Sequence, residues 1–199
     1  MTRSLRALGL FSVCVLAFAV FSTAATEEAP GPGPVGLTFI DHHGQAVSER
    51  NFAGQFQLVF FGYTHCPDVC PTSLELMSAA LRRMGDGAEK IRPVFITLDP
   101  DRDTPEVLRD FVRHFHPRTV GLTGTQAQID AATRAYDVEY LFVAAPGVPG
   151  GYTISHGGDL HLVGPDGRGI AVLDHQRGVA GLAAELRSYV KPAAGAPSS

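Results

Sequence analysis

The stretch Gln57-Leu-Val-Phe-Phe-Gly-Tyr-Thr-His-Cys-Pro-Asp-Val-Cys-Pro-Thr72 decides how the chain folds. Gln57 to Tyr63 is an apolar run rich in aromatic and branched side chains, which reads as a strand buried on both faces. Leu74, Met77, Leu81 and Met84 then recur at helical spacing. Thr72-x-x-Glu75 reads as the capping box of that helix, and Gly85 can close it. Arg92 to Leu98 is a second buried strand, stopped by Asp99-Pro100. Alternating strand and helix imply parallel strands with covering helices.

Working outward, Thr104-Pro105-Glu106 opens another helix, with Thr as N-cap and Pro at the first helical position. It is expected to bury Val107, Leu108, Phe111, Val112 and Phe115. Val120 to Leu122 is a short strand, and Thr125-x-x-Gln128 caps a helix carrying Ile129, Ala132 and Tyr136. Val138 to Val143, Leu160 to Val163 and Ile170 to Leu173 follow as strands, the last two forming a β-hairpin around Gly164-Pro-Asp-Gly-Arg-Gly169. Val179, Leu182, Leu186 and Val190 mark a final helix, and Leu37 to Asp41 with the Gly44 turn starts the domain as a small hairpin. The order is that of an α/β protein with a thioredoxin-like fold: a central mixed sheet flanked by helices, with an added N-terminal β-hairpin.

The chain has 199 residues, 45% hydrophobic and 18% charged, enough for one ordinary domain with a real core and tails. The net charge is −4 and no basic block occurs, which argues against a nucleic-acid partner. Three cysteines are too few for a disulfide-stapled scaffold or a four-cysteine zinc site. Arg3 and Arg6 precede a charge-free apolar run from Ala7 to Ala25, so residues 1–25 are an N-terminal membrane anchor or a cleaved signal segment. The arginines place the N-terminus in the cytoplasm and the rest outside. Cys14, inside that run, is filler. Residues 26–35 have the composition of a Pro/Gly linker, 36–191 form the folded domain and 192–199 a disordered tail.

The chemistry is concentrated at Cys66 and Cys70, just past the carboxyl end of the first buried strand, where α/β sheets place ligands. Each cysteine precedes a proline, which disfavours helix and predicts a loop ahead of the helix rather than a pair on one helical face. A structural disulfide, redox catalysis and metal binding are all open to such a pair. The short span closes too small a loop to stabilise much as a disulfide. Two thiolates suit Cu(I), a soft ion that accepts few ligands. His65 and the adjacent helix N-terminus favour thiolate over thiol. Among the other histidines, His42 and His43 read as exposed hairpin residues. His114 and His116 end the helix begun at Thr104, His175 lies in a polar segment, and His161 faces outward between Leu160 and Leu162. His156 stands apart, on a glycine-flanked loop in Gly151-Tyr-Thr-Ile-Ser-His-Gly-Gly158, just before a strand. Asp99, Asp101, Arg102 and Asp103 are read as non-ligands, since carboxylates are hard donors; capping, or docking of a partner, suits them.

Three motifs in order resemble the Sco/SenC family of copper-binding proteins that assist cytochrome c oxidase assembly. Phe60-Phe-Gly-Tyr-Thr-His-Cys66-Pro-Asp-Val-Cys70-Pro-Thr72 is similar to its copper motif and Leu98-Asp-Pro-Asp-Arg-Asp-Thr-Pro-Glu106 to its second signature. Tyr152-Thr-Ile-Ser-His156 with Leu162-Val-Gly-Pro-Asp-Gly167 is similar to its third, although Ser155 stands where the family commonly has an acidic residue. The resemblance implies a thioredoxin-like domain that binds copper, as Cu(I) and Cu(II), through Cys66, Cys70 and His156. It implies a metallochaperone for the oxidase's binuclear copper centre, or alternatively a thiol–disulfide oxidoreductase acting on the oxidase's copper-ligand cysteines, or a copper or redox sensor. The expected partners are the oxidase's copper-centre subunit, and another copper donor or a thioredoxin-like reductant. The expected place is the inner membrane with the domain in the periplasm, or the periplasm itself after cleavage.

Overall fold

A computed structural model describes residues 36–190. The anchor or signal, the linker, the tail and Cys14 lie outside the described residues. Among those described, no helix is long and apolar enough to cross a membrane.

Strand β1 (Thr38–Asp41) and β2 (Ala46–Ser48) pair antiparallel across the Gly44 turn. The deciding stretch becomes β3 (Phe56–Gly62) and α1 (Val69–Met84), and β4 (Ile91–Thr97) returns parallel to β3. Helix α2 (Pro105–Val112) starts at Thr104, whose side chain accepts the Val107 amide. Strand β5 (Val120–Thr123) and α3 (Gln126–Ala135) follow, with Thr125 and Gln128 forming the reciprocal capping box. Next come β6 (Tyr140–Ala144), β7 (Tyr152–His156), β8 (Leu160–Val163), β9 (Gly169–Leu173) and α4 (Gly178–Val190). The main sheet runs β2-β1-β5-β4-β3-β8-β9, with β8 antiparallel to β3 and to β9. The β3-α1-β4 unit completed by the β8-β9 hairpin and α4 is a thioredoxin-like core.

Strand β3 lies inside the sheet between β4 and β8 and is covered on both faces, so its apolar residues are continuous rather than alternating. Helix α1 packs with α4, and Phe95 meets Phe111, on the face that carries Phe60 and Gly62. Phe61 on the opposite face meets Tyr136 at the end of α3.

Three expectations are corrected. Helix α1 begins at Val69, not after Thr72, so Cys70 lies in its first turn and Thr72 is not its cap. Pro71 causes no break there because the first helical turn needs no proline N–H. Tyr152–His156 is a strand rather than a loop; it pairs only with β6, as a separate two-stranded sheet. Its alternation of inward Tyr152, Ile154 and His156 with Thr153 and Ser155 is a strand pattern hidden between glycine pairs. Helix α2 ends at Val112, so His114 and His116 lie beyond it.

Candidate metal centre

Cys66 sits on the turn after β3, Cys70 in the first turn of α1, and His156 at the end of β7. One ligand atom from each lies within 4.8 Å of the other two. Both cysteines are free thiols, Cys66 half-buried and Cys70 fully buried. The Cys70 amide donates to Cys66 Sγ (3.5 Å), so the sulfur occupies the helix N-terminus that Asp68 leaves without a side-chain cap. His156 Nε2 lies 3.2 Å from Cys70 Sγ. Its other ring nitrogen, Nδ1, lies 2.7 Å from the Gly157 carbonyl oxygen, which can only accept. Nδ1 therefore carries the hydrogen, and in the neutral ring the Nε2 lone pair faces the sulfurs. The backbone thus does the orienting work for which an acidic neighbour is unnecessary.

The two thiols are unequal. The hydrogen bond from Cys70 holds the Cys66 thiol well below its ordinary pKa against the opposing pull of burial, helped by His156 and the amides of Asp68 and Cys70. The same bond, together with burial, pushes Cys70 up. Gly62 is required by this packing, because a Cβ there would fall 2.7 Å from Cys70 Sγ. The set, two sulfurs and one imidazole, is soft and three-cornered, suited to copper rather than to a hard cation.

The Asp99–Asp103 segment holds both halves of the site. Asp103 accepts from the Thr64 amide (2.9 Å), the Thr64 hydroxyl (2.5 Å) and the Thr97 hydroxyl (2.6 Å), which fixes the turn leading to Cys66. Arg102 pairs with Asp99, donates to the Pro149 carbonyl (2.7 Å) and places its guanidinium 3.8 Å from the centre of the Tyr152 ring. Tyr152 donates its hydroxyl to Asp99 (2.8 Å). The β6-β7 hairpin that carries His156 is thereby clamped to the body. These contacts go well beyond helix capping. The signal for them was three acids around an arginine, two of the acids fully buried, and burial is not visible in the sequence.

None of the remaining histidines joins the ligand group. His65 is exposed, 3.2 Å from the Thr64 hydroxyl. His42 is half-buried rather than exposed, with Nδ1 accepting the Gly121 amide (3.1 Å). His116 accepts the Arg118 amide (3.3 Å), and a Cβ on Gly158 would strike the His175 ring at 2.7 Å. His161 is the clear correction: it faces inward, 9% exposed, edge-on to Phe61 and Tyr136. It lies opposite Val59 on the interior strand β3, so the face turned away from Leu160 and Leu162 is also covered.

Fold and site together define a thioredoxin-like domain with a Cys-Cys-His trio spaced so that it could hold a metal ion. The SCO1/SenC family profile matches residues 33–191, and the chain belongs to that family. It is 35% identical over 165 residues to "Protein SCO1 homolog, mitochondrial" of Homo sapiens, covering 80% of this chain and 53% of that protein. It is 38% identical over 129 residues to "SCO2-like protein" of Rickettsia felis, covering 65% of this chain and 63% of that one. The chain thus spans little more than half the length of the human relative. Among solved structures, Bradyrhizobium japonicum ScoI with copper bound has a TM-score of 0.70 and 38% identity over 81% of this chain and 99% of that one. Yeast Sco1 with copper bound has a TM-score of 0.70 and 30% identity over 81% and 88%.

Proposed function

We propose that this chain is a copper metallochaperone that carries copper on Cys66, Cys70 and His156 and assists assembly of the binuclear copper centre of cytochrome c oxidase. The observation that carries this reading is the convergence of two sulfurs and an imidazole nitrogen within 4.8 Å, from three separate segments. Copper is the cargo. The thiolates are its soft donors, Gly157 keeps the imidazole lone pair directed inward, and the partly exposed Cys66 offers a sulfur a recipient can reach. The relatives solved with copper bound support the choice of metal. The apolar run at 7–25 behind Arg3 and Arg6 supports a tether in the inner membrane, with the domain in the periplasm and the oxidase's copper-centre subunit as recipient.

A second reading, thiol–disulfide oxidoreductase, is favoured by the unequal thiols: an acidic, half-exposed Cys66 beside a buried Cys70 is a nucleophile with a resolving partner. One experiment separates them. The reduced, full-length protein is loaded with Cu(I) without oxygen and mixed with the copper-free, reduced soluble domain of an oxidase copper-centre subunit. Equimolar loading followed by copper transfer supports the chaperone. Failure to hold copper, with rapid reduction of the subunit's disulfide form in a parallel mixture with the metal-free, reduced protein, assigns the reductase.

A further inference from the structure

A cavity of about 990 Å³ opens on the sheet face opposite α1 and shares its His156 wall with the metal-ligand group. Its floor is aromatic, with Phe61 and Tyr136 set edge-on to His161 at 6.0 and 5.4 Å between ring centres. His161 is 9% exposed, and among the described residues neither of its ring nitrogens has a hydrogen-bond partner. Both nitrogens stay reachable from the cavity, so a donor or acceptor entering it can pair with them. Burial lowers its pKa and so favours the neutral ring, which offers a lone pair.

The rim has one sign of charge. Asp137, Glu139 and Asp159 line it and no lysine or arginine does. Asp137 has φ +54°, the only positive φ outside glycine among the described residues, where it ends α3 with the Val138 amide donating back to the Thr133 carbonyl (2.8 Å). The complement of this cavity is a cation with many donors and an apolar stem. Guanidinium fits better than ammonium, because it stacks on aromatic rings, sheds water more easily and brings five donors to carboxylate and imidazole acceptors. The volume is several times that of one side chain, so flanking backbone enters too. The exposed Leu141 and Val172 give it an apolar lip.

The geometry points to a docking pocket for an arginine side chain carried on an extended segment of a partner protein, seated beside His156. The chain's own flanks do not suit it. Residues 26–35 carry Glu27 and Glu28 and no cation, while Val190 ends α4 against Gly87, on the other side of the sheet. The pocket's occupancy requires no copper, so its test is independent of the proposed function.

The probes are the acetylated, amidated tetrapeptide Gly-Arg-Leu-Gly, its citrulline counterpart, which removes only the charge, and arginine amide. Each is titrated into the reduced, metal-free, full-length protein while histidine ring resonances are followed by NMR. The arginine peptide is expected to bind saturably, to shift the His161 ring, and to exceed the citrulline peptide at least about tenfold. Added salt should weaken only the charged peptide. In an Asp137→Asn, Glu139→Gln, Asp159→Asn triple variant the two peptides should bind alike; asparagine tolerates the left-handed backbone at 137. If that variant fails to fold, the citrulline and salt comparisons on the unaltered protein decide. Equal affinity for both peptides, no saturation by about 10 mM, or binding that leaves His161 unmoved overturns the proposal. So does arginine amide matching the tetrapeptide, which would mark a site for a free cation rather than a partner segment.

Discussion

Asp103 accepts both hydrogens that Thr64 can donate, the amide at 2.9 Å and the hydroxyl at 2.5 Å, across a sequence separation of 39 residues. Thr64 is two residues from Cys66, so one buried carboxylate sets where the copper-motif turn leaves β3. The Thr97 hydroxyl completes its shell. Asp103→Ala strands three donors in the interior and is expected to cost about 2–4 kcal/mol of stability. Asp103→Asn keeps an acceptor for the Thr64 amide, and the Thr64 hydroxyl can turn to accept, so it should cost about 1 kcal/mol. Urea denaturation followed by circular dichroism reads both; equal losses would mean that the negative charge or the second acceptor oxygen, which both variants lose, carries the whole effect.

The unequal thiols should show in their reactivity. Cys66 is half-buried with its pKa held down, whereas Cys70 is fully buried with its pKa pushed up. Iodoacetamide near neutral pH should alkylate Cys66 first and reach Cys70 only on unfolding, because the thiolate is the nucleophile. Peptide mapping by mass spectrometry separates the two from Cys14. First labelling at Cys70 would reverse the assigned polarity of the pair.

Much of this was legible beforehand because the sequence overstates it. In the run at Gln57–Tyr63 Leu58 to Phe61 are apolar on both faces, with Gln57 the one buried polar side chain, and only a doubly covered strand needs so continuous an apolar stretch. Proline beside each cysteine misled in the opposite direction: the rule against helix before proline is weak in a first helical turn, where Cys70 lies. The inward face of His161 was invisible because the residue that covers it, Tyr136, arrives from another helix end. The Asp99–Arg102–Tyr152 clamp spans a separation of 53 residues and depends on burial, which no local spacing reports.

His161 gives the fold a pH dependence whose sign follows from its burial. Burial is the largest influence and lowers its pKa, with Asp159 and Asp137 opposing. The unfolded chain therefore takes up the proton first, near pH 6.5. Stability is complete above that value and is lost as pH falls through the lower, folded value. His42 and His116 are lowered by burial in the same sense, and Asp103, raised by burial, acts with opposite sign. Comparing unaltered protein with His161→Leu cancels those contributions. Between about pH 7.5 and 5.5, the urea midpoint of the variant should fall less than that of the unaltered protein. Parallel curves would mean that the His161 pKa is the same folded and unfolded, as for a ring wetted through the cavity.

The hairpin clamp predicts a difference between oxidation states of the proposed cargo. Cu(I) is soft and is satisfied by two thiolates, whereas Cu(II) favours imidazole nitrogen in a tetragonal set. His156 reaches the sulfurs only because β6 and β7, which share no ladder with the main sheet, are held down by Arg102 at Tyr152 and Pro149. His156→Ala should keep near-equimolar Cu(I) and lose the thiolate-to-Cu(II) charge-transfer band. Arg102→Ala should leave Cu(I) stoichiometry intact while weakening Cu(II) about 10–100-fold, the range typical of groups that orient a ligand. Arg102→Lys should not restore it, since an ammonium cannot both stack on Tyr152 and reach two acceptors. Cys66→Ser and Cys70→Ser should lose both states. Anaerobic Cu(I) competition and the visible spectrum of the Cu(II) form read the series. An unchanged Cu(II) spectrum in His156→Ala would remove His156 from the ligand set and leave the exposed His65, adjacent to Cys66, as the candidate third donor.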